Sequence, residues 1–188
     1  MDDFILSIAL FLHIVGALGF SVALGLEWTG LWQIRKAATP EQVRGWMGIL
    51  NNVRKVGFAS MLTTVITGIY MMVTDWGAEA WIIVTVGSLV LVIGLAQVVT
   101  GPRMAAIGQA LSAEKGPLSR TFHSLANHPL LSISIQTRVA ITLGIVFLKT
   151  VKPDWGGSLL TAGIAIVLGL ASALPMPRRE RAGEGSAD

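Results

Sequence analysis

Residues 80–100 read AWIIVTVGSLVLVIGLAQVVT and contain no charged side chain. A membrane-spanning helix needs about 20 mostly apolar residues, because each residue advances the helix by about 1.5 Å through a hydrocarbon layer about 30 Å thick. This stretch meets that length, and four others approach or exceed it, at residues 4–26, 56–74, 130–151 and 158–174. The sequence therefore predicts an all-α membrane protein, a bundle of five transmembrane helices.

The composition agrees with a single membrane domain. Of the 188 residues, 53% are hydrophobic and only 13% are charged, which is unusual for a water-soluble domain. The connections between the apolar stretches are too short for a second globular unit, so we expect one transmembrane domain over residues 1–175. The polar residues 176–188 are predicted to form a disordered tail. The chain has no cysteine, which excludes disulfides and thiolate metal sites.

One connection is predicted to contain a helix of its own. Thr39, Pro40 and Gln42 have the pattern of a helix start, with Thr39 as N-cap and Gln42 completing a capping box. Apolar residues then recur at helical spacing up to Val53, opposite a polar face. We therefore expect a short interfacial helix over residues 40–53, lying at the cytoplasmic membrane surface.

The basic residues predict the orientation of the bundle. Eleven lysines and arginines fall in the loops and tail on one side of the predicted membrane, and two fall on the other. By the positive-inside rule, the N-terminus is external and the C-terminus cytoplasmic, as in a multi-pass protein of a cell inner membrane. This distribution also explains the net charge of +3 without nucleic acid as a partner. The basic residues expected at the inner interface are Arg35, Lys36, Arg54 and Lys55.

Small residues recur at regular spacing on the predicted helices. Such stripes let helices approach closely in lipid, where hydrophobicity does not drive them together. We expect them to pack the bundle, or to dock a second copy of the chain or another membrane protein. The predicted packing residues are Ala9, Gly16, Ala23, Gly30, Ser60, Thr64, Gly68, Gly87, Gly94, Gly101, Ala165 and Gly169.

Polar side chains at membrane depth are costly, so they are the candidates for function. Four stand out, and we expect them to form an intramembrane polar site: His13, Glu27, Gln97 and Arg138. An arginine near the middle of a helix costs about 3 kcal/mol on insertion scales unless it is compensated. If the first helix continues to Arg35, Glu27 lies at the same depth as Arg138, which predicts an ion pair. The alternative is an interfacial glutamate and an arginine that snorkels to the surface.

His13 admits two interpretations. An imidazole in a membrane can ligate a haem iron, bind a metal ion, or relay protons. No second axial or metal ligand is apparent in the sequence, so a hydrogen-bonded histidine that packs the bundle is favoured and no metal site is predicted.

Three segments resemble the copper resistance D-like group of small bacterial membrane proteins. They are residues 12–17 (LHIVGA), the stretch from Arg54 to Thr67-Gly68, and Arg138 in the fourth apolar stretch. The resemblance implies a bacterial inner-membrane location, with copper handling as a further expectation.

The sequence favours a transport-related or accessory membrane subunit that uses the polar interior. The alternatives are a haem-binding or quinone-facing electron carrier that uses His13, a copper-handling protein, and a structural membrane partner with no ligand. The sequence contains no phosphate-binding loop, Ser-His-Asp arrangement, paired carboxylates or HExxH motif, so no enzymatic activity and no catalytic residue are predicted.

Overall fold

The structure, a computed structural model, describes residues 2–114 and 116–172. All regular secondary structure in these ranges is helical. The helices are α1 (Asp2–Lys36), α2 (Pro40–Met71), α3 (Ala80–Gly94), α4 (Gly101–Ala113), α5 (Arg120–Ala126), α6 (Pro129–Val151) and α7 (Trp155–Ser172). Two π-helical turns extend them, Met72–Trp76 after α2 and Leu95–Thr100 between α3 and α4. The predicted tail at 176–188 lies outside the described residues, as do residues 173–175.

Five helical segments are long and apolar enough to cross a membrane, which confirms the predicted all-α fold. They are Asp3–Lys36, Pro40–Trp76, Ala80–Ala113, Arg120–Val151 and Trp155–Ser172. Large apolar side chains point outward along them, as at Phe11, Leu18 and Val90. In water such exposure would be unfavourable, whereas in lipid it matches the surrounding hydrocarbon. These features identify the chain as a multi-pass membrane bundle.

The predicted interfacial helix over residues 40–53 is not confirmed as a separate element. The side chain of Thr39 caps the helix by accepting a hydrogen bond from the backbone N–H of Gln42, as predicted, but the helix then continues without a break to Met71. Arg54 and Lys55 suggested a loop, yet both project from the exposed side of the helix. No proline interrupts residues 41–71, so nothing in the sequence stops the helix there.

α1 and α2 form an antiparallel pair along most of their length. Small residues make the close approach possible. A Cβ atom on Gly16 would lie 2.6 Å from Oγ1 of Thr64 and 2.8 Å from the backbone oxygen of Ser60. A Cβ atom on Gly30 would lie 2.5 Å from a methyl group of Leu50. A side chain at Gly16 would therefore push the two backbones apart, and one at Gly30 would require Leu50 to move.

A core of buried apolar residues lies at one end of the bundle. We call this the basic end: it is where α1 ends at Lys36, α2 begins at Pro40, α4 ends at Ala113 and α6 begins at Pro129. Its core joins five helices and is formed by Leu31, Ile34, Ala37, Val43, Leu50, Ile107, Leu111, Phe122, Ala126, Leu131 and Ile135. The opposite end is where the π turn after α2 ends at Trp76 and α7 begins at Trp155.

A crevice separates α2 from α3. Within the described residues these two helices make little direct contact, because α2 packs on α1 whereas α3 packs on α6 and α7. Two cavities open into this crevice. One is bordered by Glu27 and Arg138 and is called here the ion-pair cavity. The other is bordered by His13 and Lys149 and is called the lysine cavity.

Candidate functional site

Glu27 of α1 and Arg138 of α6 form a bidentate ion pair. Nη1 of Arg138 donates to Oε2 of Glu27 at 2.9 Å, and Nη2 donates to Oε1 at 2.9 Å. The arginine side chain is 4% exposed and the glutamate side chain 18%. Fork-to-fork geometry is the strongest form of a carboxylate–guanidinium contact, and it compensates the charge that the arginine brings into the bundle.

A π-helical turn brings a second partner to Arg138. The turn Leu95–Thr100 lies directly before Pro102, whose ring would clash with a carbonyl of the preceding helical turn. Nη2 of Arg138 donates to Oγ1 of Thr100 at 3.4 Å, and that oxygen lies 2.9 Å from Oγ of Ser134. Ser134 also donates to the backbone oxygen of Leu95 at 3.2 Å. The widened turn thus ties the third membrane segment to α6 beside the ion pair.

Part of Arg138 remains unpaired. Among the described residues, Nε of Arg138 has no hydrogen-bond partner although it is buried. A buried donor without a partner costs about 1–3 kcal/mol.

Glu27 and Arg138 border the ion-pair cavity, which has a volume of about 130 Å³. Five polar side chains border it: Glu27, Arg54, Gln97, Thr100 and Arg138. Gln97 and Arg54 are exposed at its rim, on opposite sides of the crevice between α2 and α3. Because the glutamate neutralises one arginine, the lining has an excess of one positive charge.

His13 lies apart from this group, in a hydrogen-bonded chain of its own. Oγ1 of Thr67 donates to the backbone oxygen of Thr63 at 2.7 Å, so it accepts from Nδ1 of His13, which lies 3.1 Å away. The ammonium group of Lys149 donates to Nε2 of the same ring. Gly68 leaves room for the ring, since a Cβ there would lie 3.0 Å from Cε1 of His13.

These hydrogen bonds limit the roles that His13 can have. Both ring nitrogens have partners, so ligation of a haem iron or a copper ion would require one contact to break. Within residues 2–114 and 116–172, no group of three histidine, aspartate or glutamate side chains is placed to hold a metal ion. The chain of hydrogen bonds ends at a backbone carbonyl, and it joins α1 to both α2 and α6.

The structure therefore brings three of the four predicted polar residues to one cavity and places the fourth elsewhere. Glu27, Gln97 and Arg138 border the ion-pair cavity, whereas His13 borders the lysine cavity. Arg54, predicted only as an inner-interface residue, joins the first group.

The predicted packing residues fall into two groups. Ala9, Gly16, Ala23, Gly30, Ala165 and Gly169 are buried, and Ser60, Thr64 and Gly68 lie on α2 against α1. A Cβ atom added to Gly169 would lie 2.5 Å from Cα of Thr137. Gly101 is only in ordinary contact with its own helix, and a Cβ atom on Gly87 or Gly94 would meet nothing within 4 Å. These last two face away from the described bundle.

The basic residues at the basic end differ in their contacts. Arg35 donates from Nε to the backbone oxygen of Ala126 and from Nη1 to Oγ of Ser132, both at 2.8 Å. The ammonium group of Lys36 lies 3.6 Å from the ring centre of Trp32. Arg54 and Lys55 are exposed. Arg35 is therefore a structural anchor between α1 and the start of α6.

Lys149 is the residue that sequence reasoning missed. It falls within the fourth apolar stretch at residues 130–151, but it was not counted among the polar residues at membrane depth; the structure places it in the last turn of α6. It follows Arg138 by eleven residues, close to three full helical turns, so the two side chains share one face of α6. That spacing was the signal in the sequence that could have identified Lys149.

No protein-family model matches the chain, and searches of curated proteins and solved structures also find no match.

Proposed function

We propose that this protein is a transport-related subunit of a bacterial inner membrane, with the ion-pair cavity as the site that handles its solute. The N-terminus is taken as external and the basic end as cytoplasmic, following the positive-inside rule. The cavity would then open toward the cytoplasmic half of the membrane.

One observation carries the proposal. Four polar residues from four different membrane segments, Glu27, Arg54, Gln97 and Arg138, converge on one open cavity instead of each satisfying itself locally. Ionisable residues in membrane segments usually face a bundle interior or a water-filled path and mark solute pathways. A purely structural ion pair needs no cavity and no additional arginine at its side.

The charge and size of the cavity suggest the class of solute. One excess positive charge favours an anion, and about 130 Å³ suits a small anion with few waters. Arg54 offers a cation at the rim, and Arg138 borders the cavity beside its ion pair with Glu27.

Cysteine labelling tests the proposal directly, because the natural chain contains no cysteine. Gln97→Cys and Val98→Cys differ by one position, yet Gln97 borders the cavity and Val98 is 74% exposed on the outer surface of the bundle, where lipid would lie. Each variant is treated in inside-out vesicles with a sulfonate-bearing methanethiosulfonate, and in parallel with its trimethylammonium analogue.

We expect the cysteine at position 97 to react and the one at position 98 to remain unlabelled. The sulfonate reagent should be favoured at position 97, and adding Arg54→Ala should reduce that preference. Failure of both reagents at position 97 would mean that water does not reach the cavity, and would overturn the proposal. Reaction from right-side-out vesicles only would reverse the orientation.

A second candidate is an accessory role through helix docking. Gly87 and Gly94 lie seven residues apart on α3 and face open space in the single chain. Such a stripe suits a close contact with another helix, including one from a second copy. Disulfide formation between two copies carrying Gly87→Cys, with Val98→Cys as control, would support it. Monomeric behaviour in mild detergent and in bilayers would contradict it.

A further inference from the structure

The lysine cavity lies at the opposite end of the crevice and differs in character from the ion-pair cavity. Its volume is about 470 Å³, within the range of about 300–1,000 Å³ typical of ligand pockets. Most of its lining is apolar. The polar exceptions are His13, Thr64, Thr85 and Lys149.

Lys149 is a cation without an acidic partner. Among the described residues, no carboxylate lies within 4.0 Å of its ammonium group, and its contact is the neighbouring ring nitrogen of His13. Elsewhere in the bundle a charge at membrane depth is neutralised, as Arg138 is by Glu27. A lysine ammonium has three donors, so contact with one imidazole leaves donors for a further group.

Thr85 supplies a second polar group to the same cavity. Its hydroxyl oxygen is buried and has no hydrogen-bond partner among the described residues. A buried hydroxyl without a partner is unfavourable by about 1–3 kcal/mol, and Thr85 is one of the residues that line the cavity. Because Thr85 lies on α3 and Lys149 on α6, the two groups reach the cavity from different helices.

The cavity is bordered by side chains that face the surrounding hydrocarbon. Ile69 on α2 and Val86 and Val90 on α3 line it and are also exposed on the outer surface of the bundle. Trp76 and Trp81 close it toward the opposite end, with their ring centres 5.6 Å apart. An apolar chain can therefore reach the cavity sideways from the membrane, whereas the aromatic pair covers it from the end.

We propose that the lysine cavity binds an amphiphile with an apolar chain and one anionic headgroup, the headgroup lying on the Lys149 ammonium and the chain lying between α2 and α3. The apolar lining selects the chain, and the unneutralised lysine selects the charge of the headgroup. Thr85 adds a hydrogen bond to the bound molecule. A free fatty acid and an anionic phospholipid share this chemistry, and the experiment separates them.

This site is independent of the solute proposed for the ion-pair cavity. Glu27, Arg54, Gln97 and Arg138 do not border it. A failed labelling experiment at Gln97 would leave this proposal intact, and the reverse also holds.

The test measures ligand binding to the full chain in detergent by native mass spectrometry, with three probes: oleate, oleyl alcohol and dioleoyl phosphatidylglycerol. The variant is Lys149→Met, which removes the charge and keeps an unbranched apolar chain. Lys55→Met is the matched control, since Lys55 is exposed on α2 and borders neither cavity. Thr85→Val, which preserves shape, is a second variant that does not rely on Lys149.

Oleate should bind the natural chain and the Lys55 variant with equal affinity. Its affinity for the Lys149 variant should be lower by about tenfold or more, as expected for loss of a charge-assisted hydrogen bond. Thr85→Val should weaken it by a few fold. Oleyl alcohol should bind weakly and equally to all. If phosphatidylglycerol shows the same dependence on Lys149 and displaces oleate, the ligand is a leaflet lipid; if only oleate does, it is a fatty acid. Equal binding of oleate and oleyl alcohol, or oleate binding that is unchanged by both substitutions, would overturn the proposal.

Discussion

Glu27 and Arg138 are 111 residues apart in the sequence and meet through two hydrogen bonds of 2.9 Å inside the bundle. The contact joins the first and the fourth membrane segments, which also meet through Arg35 and Ser132 on one side and through His13 and Lys149 on the other. These three polar contacts set the antiparallel register of α1 and α6. Since the ion pair also borders a cavity, it connects the register of the fold with the candidate site.

The crossing of α6 and α7 depends on Gly169. A Cβ atom there would lie 2.5 Å from the backbone of Thr137, so Gly169→Ala requires the helices to separate. We expect a loss of about 1–3 kcal/mol in the free energy of unfolding. Gly163→Ala on the same helix is the control, because nothing lies within 4 Å of it. Denaturation in mixed micelles should show Gly163→Ala neutral or slightly stabilising, since alanine favours helix. Equal effects of the two substitutions would contradict the described crossing.

Arg35 is predicted to stabilise the basic end in a way that lysine does not replace. Its guanidinium contacts the backbone of Ala126 and the hydroxyl of Ser132 from two different nitrogens, and a single ammonium group does not reproduce this fork. We expect Arg35→Lys to lower the free energy of unfolding by about 1–3 kcal/mol. Arg54→Lys, an exposed control, should change it by less than about 0.5 kcal/mol. The same micelle denaturation assay measures both, and an equally small effect at position 35 would argue against the anchor.

The contacts of His13 predict its tautomer. Lys149 only donates and Thr67 already donates to the backbone of Thr63, so the imidazole must carry a proton on Nδ1 and accept on Nε2. Nitrogen-15 NMR of histidine-labelled protein should show this pattern for the signal that disappears in His13→Gln. Loss of the donor in Lys149→Met should shift the Nε2 resonance, whereas Lys55→Met should not. A proton found on Nε2 of His13 in the natural protein would contradict the hydrogen bonds that link Thr67, His13 and Lys149.

Much of the architecture follows from counting residues along helices. The five spans could be predicted because long apolar runs have one stable form in a bilayer. The approach of Glu27 to Arg138 could also be anticipated, because a constant rise per residue gives both residues the same depth. Continuation of α1 to Lys36 supplies the condition on which that argument depended.

The features that could not be predicted depend on which face of each helix packs against its neighbours. Residues 40–53 have a helix start but no visible end, so their fusion with the second span was missed. Gln97 borders the ion-pair cavity from within the π-helical turn Leu95–Thr100, and helical periodicity does not encode such a turn. Gly87 and Gly94 could be recognised as a stripe of small residues. The sequence does not reveal whether the helix that packs on such a stripe belongs to the same chain.

Glu27 and Arg138 act as one buried unit beside the cavity. A double-mutant cycle measures this most directly, using the free energy of unfolding in mixed micelles for the natural chain, Glu27→Gln, Arg138→Met and the double variant. Each single change should cost about 3–5 kcal/mol, because it leaves the other charge uncompensated. The double variant should cost at least about 1 kcal/mol less than the sum of the two. Strictly additive losses would show that the two residues do not interact and would contradict the ion pair.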